Sequence, residues 1–443
     1  MKAFNLSIVM GMGLSTVAVA ANLIGGESPR ALIKSEQGVE LIHRQQELGQ
    51  IDKKTTQPTQ ETSVALNDPA LSQAWGLQKT EAMKAWEITQ GSKDIVVAII
   101  DTGADINHED LAQNIWTNPG ESGLDKEGRN KATNGIDDDG NGYTDDIHGW
   151  NFVSNNNSLN DNHGHGTHIA GIVGAEGGNG KGIRGIAPNV SMMILKYYDP
   201  KVAVSDNLKN TILAINYAVK MNANIINYSG GGTEYSQPEK NAIEGALRKG
   251  ILFIAAAGNE KNNSDKYHYY PADYGLSNIV SVTAVDPGTE VLASSNYGTE
   301  TVDIAAPGQA ILSTLPENKY GPMTGTSQAT AFVTGAAALI MSQKKSNQFT
   351  DIKKYILSTG DQNLSLIQKT RTSRQLNLFK ALAMLDGGIS ITGITAANTV
   401  NMKGSFNSDP NTQIKDQTAE VSTFGKSLLE TLSQMQPENE ARE

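Results

Sequence analysis

Three residues of this chain have the types that acyl transfer needs, and they lie far apart in the sequence. Ser327 stands in Gly325-Thr326-Ser327-Gln328-Ala329-Thr330, at the start of a helix expected over 327–342. Taken alone, a Ser there is an N-cap. His165 stands in His163-Gly164-His165-Gly166-Thr167-His168, which gathers three of the chain's 7 His. Asp101 follows the apolar run 95–100 and begins Asp101-Thr102-Gly103. A Ser hydroxyl becomes a nucleophile when a base removes its proton, and the base needs an acidic partner to fix its tautomer. Ser327, His165 and Asp101 supply that set. Asn259, preceded by Gly258, adds a side-chain amide that can donate to an oxyanion. The Ser327 N–H, at a helix N-terminus, would add a second donor. A rival chemistry is a metal site on His163, His165 and His168. It lacks a HExxH spacing, and with 0 Cys it would need carboxylate ligands.

These residues need a scaffold that brings them to one edge. The run 95–100 is continuous and apolar, too short for a helix and suited to a fully buried parallel strand. The stretches 190–195, 223–226 and 251–257 read the same way, with helical patterns at 167–174, 206–221 and 239–249 between or beside them. Strand–helix alternation implies an α/β fold, a mostly parallel central sheet with helices on both faces. Ligand sites in such sheets lie at the carboxyl ends of the strands. Asp101 and Asn259 follow strands, and Ser327 opens a helix.

Composition narrows the function classes. Lys plus Arg is 36 and Asp plus Glu is 47, a net charge of −11. That gives no electrostatic reason to bind nucleic acid or anionic lipid. With 0 Cys there are no disulfides, thiolate metal sites or cysteine nucleophiles.

The motifs together resemble the subtilisin-like serine proteases, the subtilases. Asp-Thr-Gly at 101–103, His-Gly-Thr-His at 165–168, Ala-Ala-Gly-Asn at 256–259 and Gly-Thr-Ser at 325–327 occur in the family's order. The stretch 280–341 adds Ala306-Pro307-Gly308 and Gly335-Ala336-Ala337-Ala338, and the resemblance covers roughly 65–386. It implies a subtilisin-like three-layer fold and an exported serine endopeptidase. Ser327 would be the nucleophile, His165 the general acid/base, Asp101 its orienting partner and Asn259 the oxyanion donor. Ser229, Gly230 and Gly231 would form the edge that binds substrate as an added strand. Ala256, Ala257 and Gly258 would wall the main specificity pocket, and an uncharged wall would favour uncharged P1 side chains. Tyr269, where relatives carry a small residue, would shorten that pocket. Departures are Gln328 and Ala331, where the family has Met and Pro, and Ser229-Gly230-Gly231 in place of Ser-Leu-Gly. The alternative is a catalytically inactive subtilase fold used for binding or assembly.

The ends read differently from the middle. Residues 1–20 have one charge, Lys2, an apolar stretch and Ala18-Val19-Ala20, the pattern of a secretory signal. Residues 21–62 form a short pro-segment or linker with a potential helix over 31–48. Residues 63–387 form the peptidase domain, and 388–443 a polar tail whose only helical spacing is at 424–435. The expected mature protein is secreted or periplasmic, without a membrane span, and works as a monomer on protein or peptide substrates.

One segment between Asp101 and His165 carries its own chemistry. Residues 118–148 hold eight acids (Glu121, Asp125, Glu127, Asp137, Asp138, Asp139, Asp145, Asp146) against three bases (Lys126, Arg129, Lys131). So many like charges on a loop call for a cation. Asp137, Asp139 and Asn141, with Gly142 next, match the first half of a calcium loop. Position 12 is His148, so Asp145 or Asp146 would complete the shell. A second calcium site, at Asp110 and Asn179, is implied by the resemblance alone.

Overall fold

The computed structural model describes residues 66–202, 204–344 and 348–384. The signal at 1–20, the segment 21–62, the tail 388–443 and the helices expected at 31–48 and 424–435 lie outside the described residues. One compact unit runs to Leu382, and of the second, Ala383–Glu443, only Ala383 and Met384 are described.

The helices in chain order are α1 (Trp75–Lys79), α2 (Ala82–Ile88), α3 (His165–Gly174), α4 (Asn207–Lys220), α5 (Gln237–Arg248), α6 (Thr326–Lys344), α7 (Phe349–Thr359) and α8 (Leu378–Ala383). The strands are β1 (Gly91–Asp101), β2 (Gly149–Asn151), β3 (Asn189–Lys196), β4 (Ile225–Tyr228), β5 (Leu252–Ala256), β6 (Ile279–Val285), β7 (Ile304–Pro307), β8 (Ile311–Leu315), β9 (Lys319–Met323), β10 (Asp361–Gln362) and β11 (Arg374–Gln375). Nine form one sheet in the order β10-β11-β7-β6-β5-β4-β1-β3-β2. Every pairing in it is parallel except β10 with β11.

The apolar runs became strands because both faces of the sheet are covered. Ala98 and Ile100 of β1 pack with Ala214, Ile215 and Ala218 of α4 and Ile243 of α5. The opposite face is covered by α3 and α6. Helix α6 is buried from Thr326 to Met341, so it has no polar stripe and its small residues lie close beneath the sheet. This is the mostly parallel, three-layer α/β arrangement expected from the sequence.

The strand expected at 223–226 lies two residues later. Ala223 N–H closes the end of α4 on Ala218 O (3.0 Å), and the Asn224 side chain accepts from Val96 N (2.8 Å). The ladder therefore starts with Val97 opposite Ile225. Strands β8 and β9 form a separate antiparallel pair docked on α3, where Ser313 and Thr314 hydroxyls donate to the carbonyls of His168 and Thr167 (both 2.7 Å).

Candidate active site

The chain leaves β1, forms β2 and β3 on one side of it, and then crosses to build β4 through β7 on the other. The order therefore reverses at β1, the position at which sheets of this kind hold ligands beyond their carboxyl ends. The registers bring those ends level. Asp101 lies opposite Lys196, Ile100 opposite Tyr228, and Tyr228 opposite Ala255. Asp101, the Ser229-Gly230-Gly231 segment and the Ala257-Gly258-Asn259 segment thus leave the sheet at one edge.

His165 is the first residue of α3, and its Nδ1 lies 2.7 Å from Asp101 Oδ1. The same oxygen accepts Thr102 N–H at 2.8 Å. With Nδ1–H committed to the carboxylate, Nε2 is the ring nitrogen left to take a proton. Burial pulls the His165 imidazolium down, but the charge and hydrogen bond of Asp101, with the charge of Asp161, outweigh it. The pKa stands above its ordinary value. Close approach is required here, since a Cβ on Gly166 would lie 2.0 Å from Gly103 O.

Ser327 is the second residue of α6, in the first turn, whose N–H groups lack intrahelical partners. Ser327 as a whole is 8% exposed, and its hydroxyl donates to Ser229 O at 3.0 Å. Among the described residues its recorded hydrogen-bond acceptor is Ser229 rather than His165. Asn259 is exposed, and its Oδ1 accepts Thr326 N–H at 3.0 Å and the Thr326 hydroxyl at 3.3 Å. That pins the amide oxygen to the start of α6 and leaves the NH₂ as the outward donor.

Ser229, Gly230 and Gly231 continue beyond β4, and Gly232 then pairs with Tyr270 through N–H···O contacts of 2.8 and 2.7 Å. The facing segment ends in Gly258, at φ +100°. The Tyr269 ring touches both sides. A Cβ on Gly231 would lie 2.4 Å from its Cε1, and one on Gly258 2.9 Å from its Cδ2. The same Gly258 Cβ would lie 2.4 Å from Glu260 Oε2. Ala256, Ala257 and Gly258 carry no charge, and the Glu260 carboxylate folds back beside Gly258, held by Asn296 Nδ2 at 2.7 Å.

The three His of the 163–168 segment do not converge on one point. His163 is exposed. His168 is buried, with Nε2 on the carbonyls of Ile311 (2.9 Å) and Gly321 (3.1 Å). Burial pulls its pKa down to about 4. Among the described residues the group with metal-ligand spacing is Glu121, Asp137 and Asp139, with candidate ligand atoms all within 4.8 Å of one another. This geometry gives the rival histidine metal site no support.

The acidic loop folds around that group. Asp137 accepts Asn141 N–H (3.0 Å) and Gly142 N–H (2.7 Å). Asp139 accepts Asn141 N–H (2.9 Å) and the Asn118 amide (3.0 Å). Asp146 is buried, accepts from Asn118 (2.9 Å) and Asn141 (2.8 Å), and also from the Tyr217 hydroxyl. Asp145 turns away to the Gly135 N–H (3.1 Å). Glu121 was not singled out from sequence as a ligand. It is 0% exposed, and Oε1 accepts Asp138 N–H (2.8 Å) while the buried Oε2 has no partner among the described residues. Burial first, then the charges of Asp146, Asp139 and Asp138, push its pKa up to about 7. No linear spacing joins it to the 137–146 cluster, so its only signal in the sequence was its place among the eight acids of the loop. At the other expected site, Asn179 Nδ2 donates to Asp110 (2.9 Å). Both Asp110 oxygens are taken, the second by Ile183 N–H (3.0 Å) and the Tyr320 hydroxyl (2.9 Å).

The model of the family described as the subtilase family matches residues 92–379. Thermitase of Thermoactinomyces vulgaris is 35% identical over 296 residues, covering 67% of this chain and 91% of the relative. A thermophilic serine proteinase of Bacillus sp. (strain AK1) is 36% identical over 287 residues, covering 65% of this chain and 61% of its own length. The major intracellular serine protease of Bacillus subtilis is 35% identical over 272 residues, covering 61% and 75%. Among solved structures, a protease from Pseudoalteromonas arctica superposes with a TM-score of 0.57 at 24% identity, covering 72% of this chain and 99% of that one. That last likeness speaks to the fold.

Proposed function

The chain belongs to the subtilase family of serine proteases, and from that premise we propose that it is an exported endopeptidase whose acyl-enzyme forms on Ser327. The observation that carries the assignment is the Asp101–His165 hydrogen bond of 2.7 Å at the sheet edge from which the Ser327 helix starts. A peptide adds as a strand along Ser229-Gly230-Gly231. The Ser327 hydroxyl leaves Ser229 O and turns to His165 Nε2, since catalytic hydrogen bonds are often loose until substrate binds. Oγ attacks the scissile carbonyl as His165 takes its proton, and Asp101 holds the resulting imidazolium. The oxyanion is met by Asn259 Nδ2–H and the Ser327 N–H. His165 then protonates the departing amine, which leaves as the C–N bond breaks. Water, deprotonated by His165, attacks the ester carbonyl, and the proton returns to Ser327 as the acid is released. A reporter fluorophosphonate is expected to mark wild-type protein on Ser327 and to spare Ser327→Ala. Unlabelled, folded wild-type protein would mean a subtilase fold used for binding or assembly.

Export rests on residues 1–20, and N-terminal sequencing of the mature form from outside the cell tests it. Substrates are proteins or peptides, and the Tyr269 ring between Gly231 and Gly258 argues for small P1 side chains. Tyr269→Gly is expected to raise kcat/KM for large over small P1 residues by about 10–100-fold. An unchanged preference in a peptide-library digest would remove Tyr269 from the pocket.

Calcium is the proposed structural cation. Glu121, Asp137 and Asp139, with Asp146 beside them, are hard oxygen donors of the kind this ion takes. The unpartnered buried oxygen of Glu121 fits such a group. The ion would offset their charge and take no part in the chemistry at Ser327.

A further inference from the structure

Asp161 lies four residues before His165, in the loop that leads into α3, and spacing did not mark it as functional. Its carboxylate is the acceptor for two chain segments at once. Oδ1 takes the Thr102 hydroxyl (2.8 Å), His163 N–H (3.0 Å) and Gly164 N–H (2.7 Å). Oδ2 takes Thr167 N–H (2.9 Å) and the Thr167 hydroxyl (2.7 Å). Thr102 in turn accepts Gly166 N–H through the same hydroxyl, at 2.9 Å. The N-cap of α3, Gly164, has no side chain to serve these amides. Asp161 and Thr102 therefore do the capping of α3, and both do it from beside Asp101. Thr102 follows Asp101 and Gly166 follows His165, so the bridge runs parallel to the Asp101–His165 hydrogen bond, one residue on.

We propose that Asp161 is a positioning residue of the reaction: by clamping Thr102 to the first turn of α3, its carboxylate fixes how Asp101 and His165 face each other. This rests on the reading of Asp101, His165 and Ser327 as the proton-transfer set. A bridge confined to helix capping would change stability alone. This one carries a charge next to a residue that becomes cationic during each turnover. Among the described residues, the charged or titratable groups bearing on the His165 ring are Asp101 from β1, Asp161 and His163 from the loop, and His168 from the same helix. Tyr197 lies behind Asp101, where burial and that carboxylate keep its phenol protonated. Asp161 is among the groups that hold the His165 pKa above its ordinary value, after burial and Asp101.

The test uses the full chain and peptide substrates at a temperature where every variant is folded. Asp161→Asn puts an NH₂ against the Thr167 donors and removes the charge. It is expected to lower kcat on the order of 10–100-fold with little change in KM, the scale of a small misalignment. The base must be neutral to act, so a lower His165 pKa moves the acid limb of the kcat/KM profile to lower pH. Thr102→Val, which cuts the bridge but keeps the Asp161 charge, is expected to lower kcat without moving that limb, and Thr102→Ser to restore kcat. It also stands in should Asp161→Asn fail to fold. A loss of melting temperature in these variants with kcat, KM and the acid limb unchanged would overturn the proposal and leave Asp161 a structural cap. Failure of the underlying reading would show separately, as wild-type protein that a fluorophosphonate does not mark.

Discussion

Two carboxylate clusters lie between the ends of β1 and α3, and the fold treats them oppositely. At the strand edge, Asp101 and Asp161 are met by a histidine, threonine hydroxyls and the free amides of a helix start. In the 118–148 loop, carboxylates are met by Asn amides and turn N–H groups, and a buried oxygen of Glu121 is met by nothing among the described residues. A helix N-terminus brings several donors and a positive dipole end to one place. The loop pairs Arg129 with Asp125 and Glu127, but around Glu121, Asp137 and Asp139 it brings amides and no cationic side chain among the described residues. The first arrangement can run proton chemistry with the groups it has, and the second calls for an ion from outside.

The sharpest way to break this contrast is at the active edge. Asn259→Ala is expected to lower kcat by ~10²–10³, the figure subtilisin itself gives for loss of one oxyanion donor. KM should stay near the wild-type value, because the donor acts on charge that develops only in the transition state. Full turnover by the variant would remove Asn259 from the reaction.

The next effect separates the clusters by pH. His168 is buried among carbonyls beneath the edge, with a pKa of about 4 against an ordinary 6.5. Below 6.5 the unfolded chain takes up a proton that the fold refuses until about 4. Its stabilising contribution is therefore present above 6.5 and lost as pH falls through that window, on the order of 3 kcal/mol. Melting temperatures taken from pH 7 to 4, with the protease inhibited, are expected to fall. A His168→Gln variant, which has no proton to gain, is expected to give a flatter curve. Equal slopes for the two proteins would show that other groups set the acid limit.

How far the sequence foretold this arrangement depends on the range of each contact. Strands with both faces covered are continuous apolar runs, so 95–100 and 251–257 were readable as they stood. The four motifs were readable because each is contiguous. Glu121 and Asp161 were not, because their meaning comes from partners brought by the fold: Asp138 and the 137–139 turn for one, Thr102 for the other. Glu260 escaped for the same reason, since only the turn after Asn259 folds it back onto Gly258. The pair β8–β9 has little pattern of its own and is set by contacts to α3.

The smallest effect expected is at the loop, and it tests whether the orphaned oxygen reports a cation. A ligand at 100 times its Kd stabilises by about 2.7 kcal/mol, which for a domain of this size is a shift of several degrees in melting temperature. Excess chelator should remove that shift, with the protease inhibited so that self-digestion does not stand in for unfolding. Asp139→Ala and Glu121→Gln should each shrink the chelator effect, but for opposite reasons of baseline. Asp139→Ala strips acceptors from Asn118 and Asn141, so it starts from a less stable protein. Glu121→Gln removes a charge with no partner at one oxygen, so its chelated form should be more stable than chelated wild type. Turnover measured before any unfolding should be the same with and without chelator, since the loop carries none of the groups placed at Ser327. A wild-type melting temperature that chelator leaves unmoved would mean the loop bears its charge without an ion.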